Sequence, residues 1–223
     1  MASGEHHGAQ VLEVAGESLL LLAQKAVLWP KESMLIVADI HFGKAAAFRA
    51  LGVPVPHGTT RENLDLLDRL ILLHGVRHLV FLGDFLHAKA ARAPATLAAM
   101  KAWRAHHPAL TVTLVRGNHD LHAGDPPGDL HIDVVDEPWL QSPFAFCHHP
   151  DLAAPGYVLA GHVHPVYRLV SGREALTLPC FVFGATRAVL PSFGAFTGGH
   201  ALRPAADEAL FLVAGDAVFA RGG

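Results

Sequence analysis

The sequence predicts an α/β fold with an α+β second half, in which two facing mixed β-sheets are flanked by helices as a four-layer αββα sandwich. Between Met34 and Val115 the pattern runs strand, helix, strand, helix, strand, which implies right-handed crossovers and a parallel sheet. After Asp120, short apolar segments follow one another without long helical patterns, which indicates a second, mixed sheet. The 223 residues, 51% of them hydrophobic, suit a single domain spanning residues 1–223.

The first half of the chain contains the predicted parallel sheet. Residues 1–10 are expected to be a frayed end, and the apolar segments between Val11 and Leu35 predict a hairpin and a third strand. The stretch from Thr59 to Glu62 is typical of a capping box, and apolar residues at helical spacing up to Gly75 predict a helix over 60–74. The region between Gly43 and Gly58 is expected to be irregular. The remaining predicted elements are a strand over 34–38, a strand over 78–82, a helix over 94–106 and a strand over 110–115.

The second half is predicted to consist mainly of short strands joined by loops. Glycine and proline are concentrated between residues 124 and 128, which is typical of a loop. The predicted strands cover residues 144–147, 158–160, 166–170, 179–183, 209–213 and 217–220.

Composition excludes several classes of protein. The net charge of -3 and the pI near 6.6 provide no overall basic field that would attract nucleic acid or an anionic membrane, so any polyanion must be bound locally. Two cysteines, Cys147 and Cys180, cannot form a disulfide framework and are expected to be buried free thiols. The chain has no secretory signal pattern and no run of eighteen apolar residues, so a cytoplasmic protein is expected.

The strand over 34–38 ends in two side chains that can bind a metal ion, Asp39 and His41. In extended backbone, residues i and i+2 point to the same side, so these two side chains could hold one ion together. The alternative is that Asp39 caps a turn and His41 is a solvated loop histidine.

Four further strands end in the same way, and five such endings in order are hard to explain as a structural accident. Aspartate, asparagine and histidine without cysteine favour Mn²⁺, Fe or Zn²⁺ over a structural zinc site. Seven candidates exceed the needs of one ion and suit two ions about 3.5 to 4 Å apart, with Asp84 as the best bridging ligand. The seven are Asp39, His41, Asp84, Asn118, His148, His162 and His164.

These blocks carry a family resemblance. The series D-x-H, G-D, G-N-H-D, H and G-H-x-H, which covers roughly residues 34 to 168, resembles the calcineurin-like metallophosphoesterase superfamily. The longer context ADIHFGK, Phe48-Arg49, GVPVPHGTT and LPSFGAFTGG at 190–199 is similar to the bacterial DNA ligase-associated metallophosphoesterases, a group linked to DNA-repair endonuclease activity.

The resemblance implies the four-layer sandwich and a division of labour among the site residues. Two divalent ions are implied, with Mn²⁺ foremost and Fe or Zn as alternatives, and a hydroxide that bridges them would attack phosphorus. His119 would stabilise the transition-state charge or protonate the leaving oxygen, while Asp120 orients its ring. The alternative for His119 is a solvated histidine beside the site. The implied ligands are Asp39, His41 and His164 for the first ion, Asn118, His148 and His162 for the second, and Asp84 for both.

Two further points stay open in the sequence. His148-His149 offers two imidazoles where the superfamily commonly has one, so His149 is the alternative to His148 as a ligand. Lys44, Arg49 and Arg116 lie beside the metal-binding blocks and are candidates to hold substrate phosphate, although each is more often a solvated charge.

The expected function is a dinuclear phosphodiesterase, and specifically a DNA endonuclease with DNA as its substrate. The alternatives are a small-molecule or nucleotide phosphodiesterase or pyrophosphatase, and a non-catalytic metal-binding partner of a DNA ligase or helicase. DNA and these protein partners rest on the resemblance alone. An intact His119 argues against the non-catalytic alternative, because a scaffold needs no general acid.

Overall fold

Two mixed β-sheets pack face to face, and the helices lie against the outer face of the first sheet. The computed structural model describes residues 8–55, 58–172, 174–195 and 197–221. Most of the predicted frayed end at 1–10 lies outside the described residues. Two of the longer sequence motifs, GVPVPHGTT and LPSFGAFTGG, also contain residues that lie outside them.

The first sheet has seven strands in chain order, antiparallel from β1 to β4 and parallel from β4 to β7. Its strands are β1 Gln10–Val14, β2 Glu17–Leu22, β3 Ala26–Trp29, β4 Met34–Ala38, β5 His78–Leu82, β6 Thr111–Val115 and β7 Asp133–Val135. The α-helices are α1 Lys44–Ala50, α2 Thr59–His74, α3 Pro94–His106 and α4 Asn118–Ala123, with 3-10 helices at Pro30–Glu32, Lys89–Arg92 and Gly128–Leu130.

The second sheet is built from the remaining strands in the order β14-β11-β12-β13-β10-β9-β8, with β15 paired to β12 and β16 to β15. Strands β9, β10 and β13 run parallel, and β12 runs antiparallel to its neighbours. The strands are β8 Trp139–Gln141, β9 Phe144–Phe146, β10 Tyr157–Ala160, β11 Pro165–Ser171, β12 Glu174–Phe183, β13 Arg187–Val189, β14 His200–Ala201, β15 Ala209–Ala214 and β16 Ala217–Ala220.

Strand β4 shows how the layers are filled, because all five of its residues are buried. Leu35 and Val37 point into the apolar cluster shared with α2 and α3. Ile36 and Ala38 point to the opposite face and into the cluster between the two sheets. A strand that is buried on both faces reads as a continuous apolar run, as β4 does. The two sheets therefore share one apolar interior, although the assignment of residues 1–223 to one domain stays a prediction.

The mixed α/β class with two facing mixed sheets is confirmed, but the second sheet lacks the expected outer helices. Among the described residues, no helix follows the 3-10 helix that ends at Leu130. Loop residues such as Leu152 and Ala154 cover part of this outer face instead. The connection between β9 and β10 is short and contains Pro150 and Pro155, which oppose a helix there. Among the described residues, no helix has the length and apolar character needed to cross a membrane.

The predicted helices and parallel strands are confirmed to within one residue, and two local expectations are wrong. Residues 44–50 form α1 rather than an irregular segment, because the sequence KAAAFRA is rich in alanine, a strong helix former. The expected capping box is absent, since α2 already begins at Thr59 with Gly58 as its N-cap and has no side-chain cap. Both cysteines are free and buried, as expected.

Lys25, in the turn between β2 and β3, supplies a prediction about stability and pH. Its Nζ lies 3.3 Å from the Gly194 carbonyl oxygen, and burial lowers its pKa from 10.5 to about 8. The Lys25 ammonium group binds its proton more tightly in the unfolded chain than in the folded one. Its burial therefore lowers the free energy of unfolding below pH 8, and this cost disappears as the pH rises to 10.5. We expect Lys25→Met to raise the free energy of unfolding at pH 7 by about 1 to 3 kcal/mol.

Urea denaturation at pH 7 and at pH 10 measures this effect. The gain should shrink at the higher pH, because wild-type Lys25 is then largely neutral. The matched control is Lys89→Met, since Lys89 is exposed and its replacement should leave stability nearly unchanged. A Lys25→Met variant less stable than wild type would mean that the bond to Gly194 outweighs the burial of the charge.

Candidate metal centre

The seven predicted metal-binding residues all lie in one cluster at the carboxyl ends of strands from both sheets. Strands β4, β5 and β6 are parallel neighbours, so their carboxyl ends meet at one edge of the first sheet. Strands β9 and β10 of the second sheet end at the same place. Such an edge is where α/β folds bind ligands. The residues follow their strands as Asp39 and His41 after β4, Asp84 after β5, Asn118 after β6, His148 after β9, and His162 and His164 after β10.

The first group of candidate ligands contains Asp39, His41, Asp84 and His164, whose ligand atoms lie within 4.8 Å of one another. His41 Nε2 is 3.3 Å from His164 Nε2 and 3.5 Å from Asp84 Oδ2. His164 Nε2 is 3.6 Å from Asp39 Oδ1. Ligands about 2.1 Å from an ion lie roughly 3.0 to 3.4 Å apart in octahedral or tetrahedral geometry. This group therefore fits one divalent ion after small adjustments.

The second group is centred on His148, which is fully buried. Its Nε2 lies 2.8 Å from Asn118 Oδ1, 3.0 Å from His162 Nδ1 and 3.5 Å from Asp84 Oδ1. These separations are again close to those between ligands of one ion. The cluster thus contains two adjacent groups of nitrogen and oxygen atoms that fit divalent ions.

Asp84 belongs to both groups and directs one carboxylate oxygen to each. Oδ2 faces His41, Oδ1 faces His148, and Oδ1 also accepts the main-chain N–H of His119 at 3.0 Å. The side chain is buried, and this burial raises the pKa of Asp84. A buried carboxylate needs positive charge beside it, which cations in the two groups would supply.

The backbone at these strand ends is left-handed rather than extended. In the left-handed region a residue other than glycine is disfavoured by roughly 1 kcal/mol or more. Aspartate, asparagine and histidine enter it more readily than other residues. Asp39 and His41 were expected to point the same way because their backbone is extended. Their side chains do reach the same ligand group, but the extended backbone that was expected to direct them there is absent. The φ values are 52° at Asp39, 48° at His41, 49° at Asp84, 71° at His162 and 52° at His164.

Two of the histidines are oriented by backbone carbonyl groups. His148 Nδ1 lies 3.1 Å from the Leu82 oxygen, and His164 Nδ1 lies 3.1 Å from the Gly198 oxygen. A proton held on Nδ1 leaves the Nε2 lone pair available for a metal. Burial lowers the pKa of His148 to about 4, so its ring is neutral at pH 7, as a ligand must be.

Burial lowers the pKa of His41 even further, to about 2. At His164 burial also lowers the pKa, but the hydrogen bond and negative charge of Asp39 outweigh it and raise the pKa overall. His164 therefore depends on its carboxylate neighbour in a way that His41 does not.

His148 and His149 have different contacts, although both lie with His162 in a group of possible ligand atoms within 4.8 Å of one another. His149 Nδ1 lies 2.6 Å from Glu137 Oε1, and Glu137 Oε2 accepts the main-chain N–H of both histidines at 2.7 and 2.9 Å. Glu137 thus holds the turn that presents His148 to Asp84 and Asn118. The geometry favours His148 as the ligand, with His149 beside it. Sequence reasoning missed Glu137, because nothing in the local pattern shows a contact made eleven residues away.

Asp120 does not orient the ring of His119, contrary to the expectation. Its Oδ1 accepts the Phe85 N–H at 2.9 Å and its Oδ2 accepts the Gly117 N–H at 2.9 Å. The ring of His119 is held through Nδ1 by the His87 carbonyl oxygen at 2.8 Å. Both residues lie at the start of α4, where the helical turn directs Asp120 inward and leaves His119 facing the cleft. Burial raises the pKa of Asp120 to about 6.

His87 is a second residue that the sequence reasoning missed. Its ring nitrogen lies within 4.8 Å of those of His41 and His119. Burial lowers the pKa of His87 to about 4. The only local signal was its position three residues after Asp84, in a segment interpreted as a loop.

The three predicted phosphate-binding residues have different surroundings. Lys44 is the first residue of α1. Burial lowers the pKa of its ammonium group, and the negative charges of Asp84 and Asp39 raise it by a smaller amount. Arg49 lies in the last turn of the same helix. Arg116 binds Asp125 through two nitrogens at 2.9 and 3.0 Å and also pairs with Asp136, so its guanidinium already has carboxylate partners.

Gly83 lets the second ligand group approach the first sheet and supplies a prediction. Its φ is +77°, and a Cβ atom there would lie 2.1 Å from His148 Nδ1 and 2.5 Å from its Cγ. His148 is fully buried and has no room to turn away. We expect Gly83→Ala to displace this ring and to destabilise the fold by more than the roughly 1 kcal/mol that a left-handed alanine costs. It should also reduce metal content, as measured by elemental analysis.

Gly75→Ala is the matched control for this change. Gly75 also has a left-handed φ, +60°, but a Cβ atom there would meet nothing within 4 Å. Urea denaturation should show a loss of about 1 kcal/mol with unchanged metal content. Equal effects of the two substitutions would mean that His148 accommodates the methyl group.

The comparisons with known proteins agree with this geometry. The calcineurin-like phosphoesterase family matches residues 33–171. The crystal structure of Pseudomonas putida nuclease MPE is 48% identical, covers 96% of this chain and 100% of its own, and superimposes with a TM-score of 0.86. Among curated proteins, no significant match was found.

Two more distant solved structures are similar to parts of the chain, but at TM-scores below 0.5 they carry no weight. The Escherichia coli phosphoesterase Yfce is 16% identical over 82% of this chain and 88% of its own, with a TM-score of 0.39. A protein of unknown function from Aquifex aeolicus, AQ665, is 19% identical over 63% of this chain and 81% of its own, with a TM-score of 0.40.

The resemblance first drawn from five strand ends is confirmed by the matched family and by the extent of the likeness to the Pseudomonas putida structure. The matched residues include three members of the first ligand group, Asp39, Asp84 and His164. The chain belongs to the calcineurin-like phosphoesterases, and it is a metal-dependent phosphoester hydrolase.

Proposed function

We propose that this protein is a dinuclear phosphodiesterase that cleaves DNA, with a role in DNA repair. The observation that carries the dinuclear part is the position of Asp84, whose two carboxylate oxygens face two separate ligand groups at 3.5 Å each. A carboxylate in that position can bridge two ions. We assign Asp39, His41 and His164 to one ion and Asn118, His148 and His162 to the other.

Mn²⁺ is our first choice for both positions, with Fe or Zn²⁺ as alternatives. The ligand atoms are carboxylate oxygens, an amide oxygen and imidazole nitrogens, a set that suits these metals. A thiolate would favour zinc, but Cys147, beside His148, is buried and burial raises its pKa to about 11. It is therefore an uncharged thiol at pH 7 and not a ligand.

Divalent ions bound here would supply the positive charge that activates a water molecule and neutralises the phosphate. His119 stands beside that position with a side chain 38% exposed, and its Nε2 is 3.9 Å from Asp84 Oδ2. Its Nδ1 is held by a carbonyl group, so Nε2 is the nitrogen that faces the substrate. We assign to His119 the delivery of a proton from Nε2 to the leaving oxygen. We also assign to Lys44 the binding of a phosphate oxygen, because it lies close enough to Asp84 and Asp39 for their charges to affect its pKa.

DNA is proposed as the substrate because the Pseudomonas putida structure, 48% identical over nearly the whole chain, is that of a nuclease. Because the net charge is -3, the protein as a whole does not attract DNA, and we expect binding to depend on local contacts such as those of Lys44 and Arg49. Affinity for DNA should therefore depend on few phosphate contacts and have a shallow salt dependence. The repair role, the ligase or helicase partners and the cytoplasmic location stay predictions.

Three substrates separate the candidate functions. Purified protein is loaded with Mn²⁺, Fe²⁺ or Zn²⁺ and assayed for nicking of supercoiled plasmid and for hydrolysis of bis-p-nitrophenyl phosphate and p-nitrophenyl phosphate. We expect nicking and diester cleavage with Mn²⁺. Cleavage of the small diester without nicking would favour the small-molecule phosphodiesterase. Failure to nick the plasmid and to cleave either ester, with every metal tested, would contradict the proposed phosphodiesterase.

A further inference from the structure

A small cavity lies beside the candidate metal centre, between the start of α2 and the segment that follows β4. Its volume is about 10 Å³, enough for one water molecule or one oxygen atom of a larger group. Three of its polar residues, Lys44, Thr59 and Thr60, are half-buried and can therefore be reached from solvent. The polar residues that line it are His41, Lys44, Thr59, Thr60, Asn63 and Thr197.

The lining of this cavity offers hydrogen-bond donors and no acidic residue. Within the described part of the chain, the Lys44 ammonium and the hydroxyls of Thr59 and Thr60 form no hydrogen bond. Helix α2 begins here with Gly58 as its N-cap and no side-chain cap, so the amides of its first turn also lack a side-chain acceptor. Glu62, the acidic residue of that turn, is not among the lining residues. The start of a sixteen-residue helix carries partial positive charge, which favours an anion.

His41 supplies an independent observation that points to the same kind of occupant. Its Nε2 faces Asp84 and His164 in the first ligand group. The other ring nitrogen, Nδ1, lies on the backbone side of the ring and has no hydrogen-bond partner among the described residues, although His41 is only 4% exposed. A metal-binding histidine almost always donates its second ring N–H to an oxygen atom. The occupant of the cavity should therefore offer an acceptor oxygen to Nδ1.

We propose that this cavity binds one oxygen of the DNA phosphate adjacent to the phosphate that is cleaved. The inference rests on the proposed function and states which phosphate Lys44 binds. His41 Nδ1 and the hydroxyls of Thr59 and Thr60 donate to the oxygen that enters the cavity, and the Lys44 ammonium and the start of α2 offset the charge of the group. Hydrogen bonds to an ionised acceptor are stronger than those to a neutral one, so a phosphate oxygen displaces water from this position.

The imidazole ring of His41 separates the cavity from the first ligand group, and for this reason the bound oxygen belongs to a second phosphate. An atom that accepts the Nδ1–H lies across the ring from an ion bound at Nε2. The oxygens of one phosphate are too close together to reach both positions. The cavity is also too small for a whole phosphate group, so one oxygen enters while the rest of the group stays at the mouth.

Two pairs of p-nitrophenyl esters test this proposal, because the members of each pair differ by a single phosphate. One pair is thymidine 5′-(p-nitrophenyl phosphate) with and without a 3′-phosphate. The other is thymidine 3′-(p-nitrophenyl phosphate) with and without a 5′-phosphate. For Mn²⁺-loaded wild-type protein, we expect the added phosphate to raise kcat/KM about 10- to 100-fold in one of the two pairs, mainly through a lower KM.

The double variant Thr59→Val/Thr60→Val removes both hydroxyls and keeps nearly the same side-chain shape. The advantage from the added phosphate should fall to about threefold or less, because hydrogen bonds to a charged group are lost. Thr59→Ser/Thr60→Ser keeps the hydroxyls and should retain most of the advantage. The matched control is Thr111→Val at the exposed start of β6, which should leave the advantage as it is in the wild type. Elemental analysis should show the wild-type metal content in every variant, because neither threonine is an assigned ligand.

Three results would overturn the proposal while leaving the proposed function intact. Cleavage of the esters with no advantage from the added phosphate would mean that the cavity holds only water. An advantage that survives in the double valine variant would mean that the second phosphate binds elsewhere. Loss of metal in that variant would show that the two threonines support the metal site and not the substrate.

Two further outcomes are also decisive. Should the double valine variant not fold, Thr60→Val alone removes one hydroxyl, and an undiminished advantage in that variant would refute the assignment. If the wild-type protein cleaves none of the four esters with Mn²⁺, Fe²⁺ or Zn²⁺, the proposed phosphodiesterase fails and this inference fails with it. Cleavage without any advantage overturns the inference alone, so the two failures are distinguishable.

Discussion

Asp84→Ala should abolish both metal binding and turnover. The alanine removes the one carboxylate that faces both ligand groups, so each group loses a ligand and the pair loses its shared negative charge. In the proposed dinuclear site, the remaining ligands would carry a single carboxylate, that of Asp39, against two divalent ions. Losing the charge stabilisation that two ions provide is worth several kcal/mol, so kcat should fall by about 10³-fold or more.

Elemental analysis and hydrolysis of bis-p-nitrophenyl phosphate measure the two effects separately. Asp84→Asn is an informative second variant, because its amide oxygen can still accept the His119 N–H that Oδ1 accepts in the wild type. It should fold normally and still lose metal. The control is Asp207→Ala, which removes an exposed carboxylate and should leave metal content and rate unchanged. Two bound ions per chain in Asp84→Ala would contradict the bridging role.

The clustering of the candidate metal ligands was predictable because its signal is local and repeated. Each ligand follows a short apolar strand, and the carboxyl ends of parallel neighbours such as β4 and β5 must lie at one edge. Chain order alone therefore places Asp39 beside Asp84. The helix over 60–74 was also predictable from local signals, namely apolar residues at helical spacing and a final glycine. The observed φ of Gly75 is 60°, which is left-handed.

The orientation of the side chains could not be predicted in this way. Arg116 and Asp120 sit beside metal-binding blocks in the sequence, yet one is taken up by Asp125 and the other by backbone N–H groups. Contacts of this kind depend on the course of loops between residues 85 and 136. His87 and Glu137 were missed for the same reason, since each acts on residues distant from it in the chain.

The left-handed backbone at the strand ends could not be predicted from the local sequence either. An apolar strand that ends in Asp39 and His41 predicts the residues that meet, but tertiary contacts decide their backbone angles. The His162 N–H donates to the Asp39 carboxylate at 2.9 Å, and the Ser192 hydroxyl donates to the Asp39 carbonyl at 2.7 Å. These bonds come from the second sheet, and they offset the cost of the left-handed conformation at Asp39.

His119→Ala should slow diester cleavage by about 10²- to 10⁴-fold while both ions remain bound, the scale of general acid catalysis. The substitution is clean, because alanine keeps the main-chain N–H that donates to Asp84 at 3.0 Å. The Asp84 carboxylate therefore stays in place while Nε2 is lost. The defect should be larger for DNA, whose leaving group is an alkoxide, than for bis-p-nitrophenyl phosphate, because nitrophenolate leaves without a proton.

His122→Ala is the matched control for the loss of an imidazole from α4. His122 lies one turn further along and is exposed, with its Nδ1 2.7 Å from the Asn118 carbonyl oxygen. Its removal should change kcat by no more than about threefold, because it contacts the main chain of Asn118 and not the side-chain oxygen assigned to the metal. A His119→Ala variant with a normal rate and two bound ions would make His119 a bystander. Loss of an ion from His119→Ala would instead place His119 among the metal ligands. In that case DNA and bis-p-nitrophenyl phosphate should be slowed equally, as expected for a protein that has lost metal.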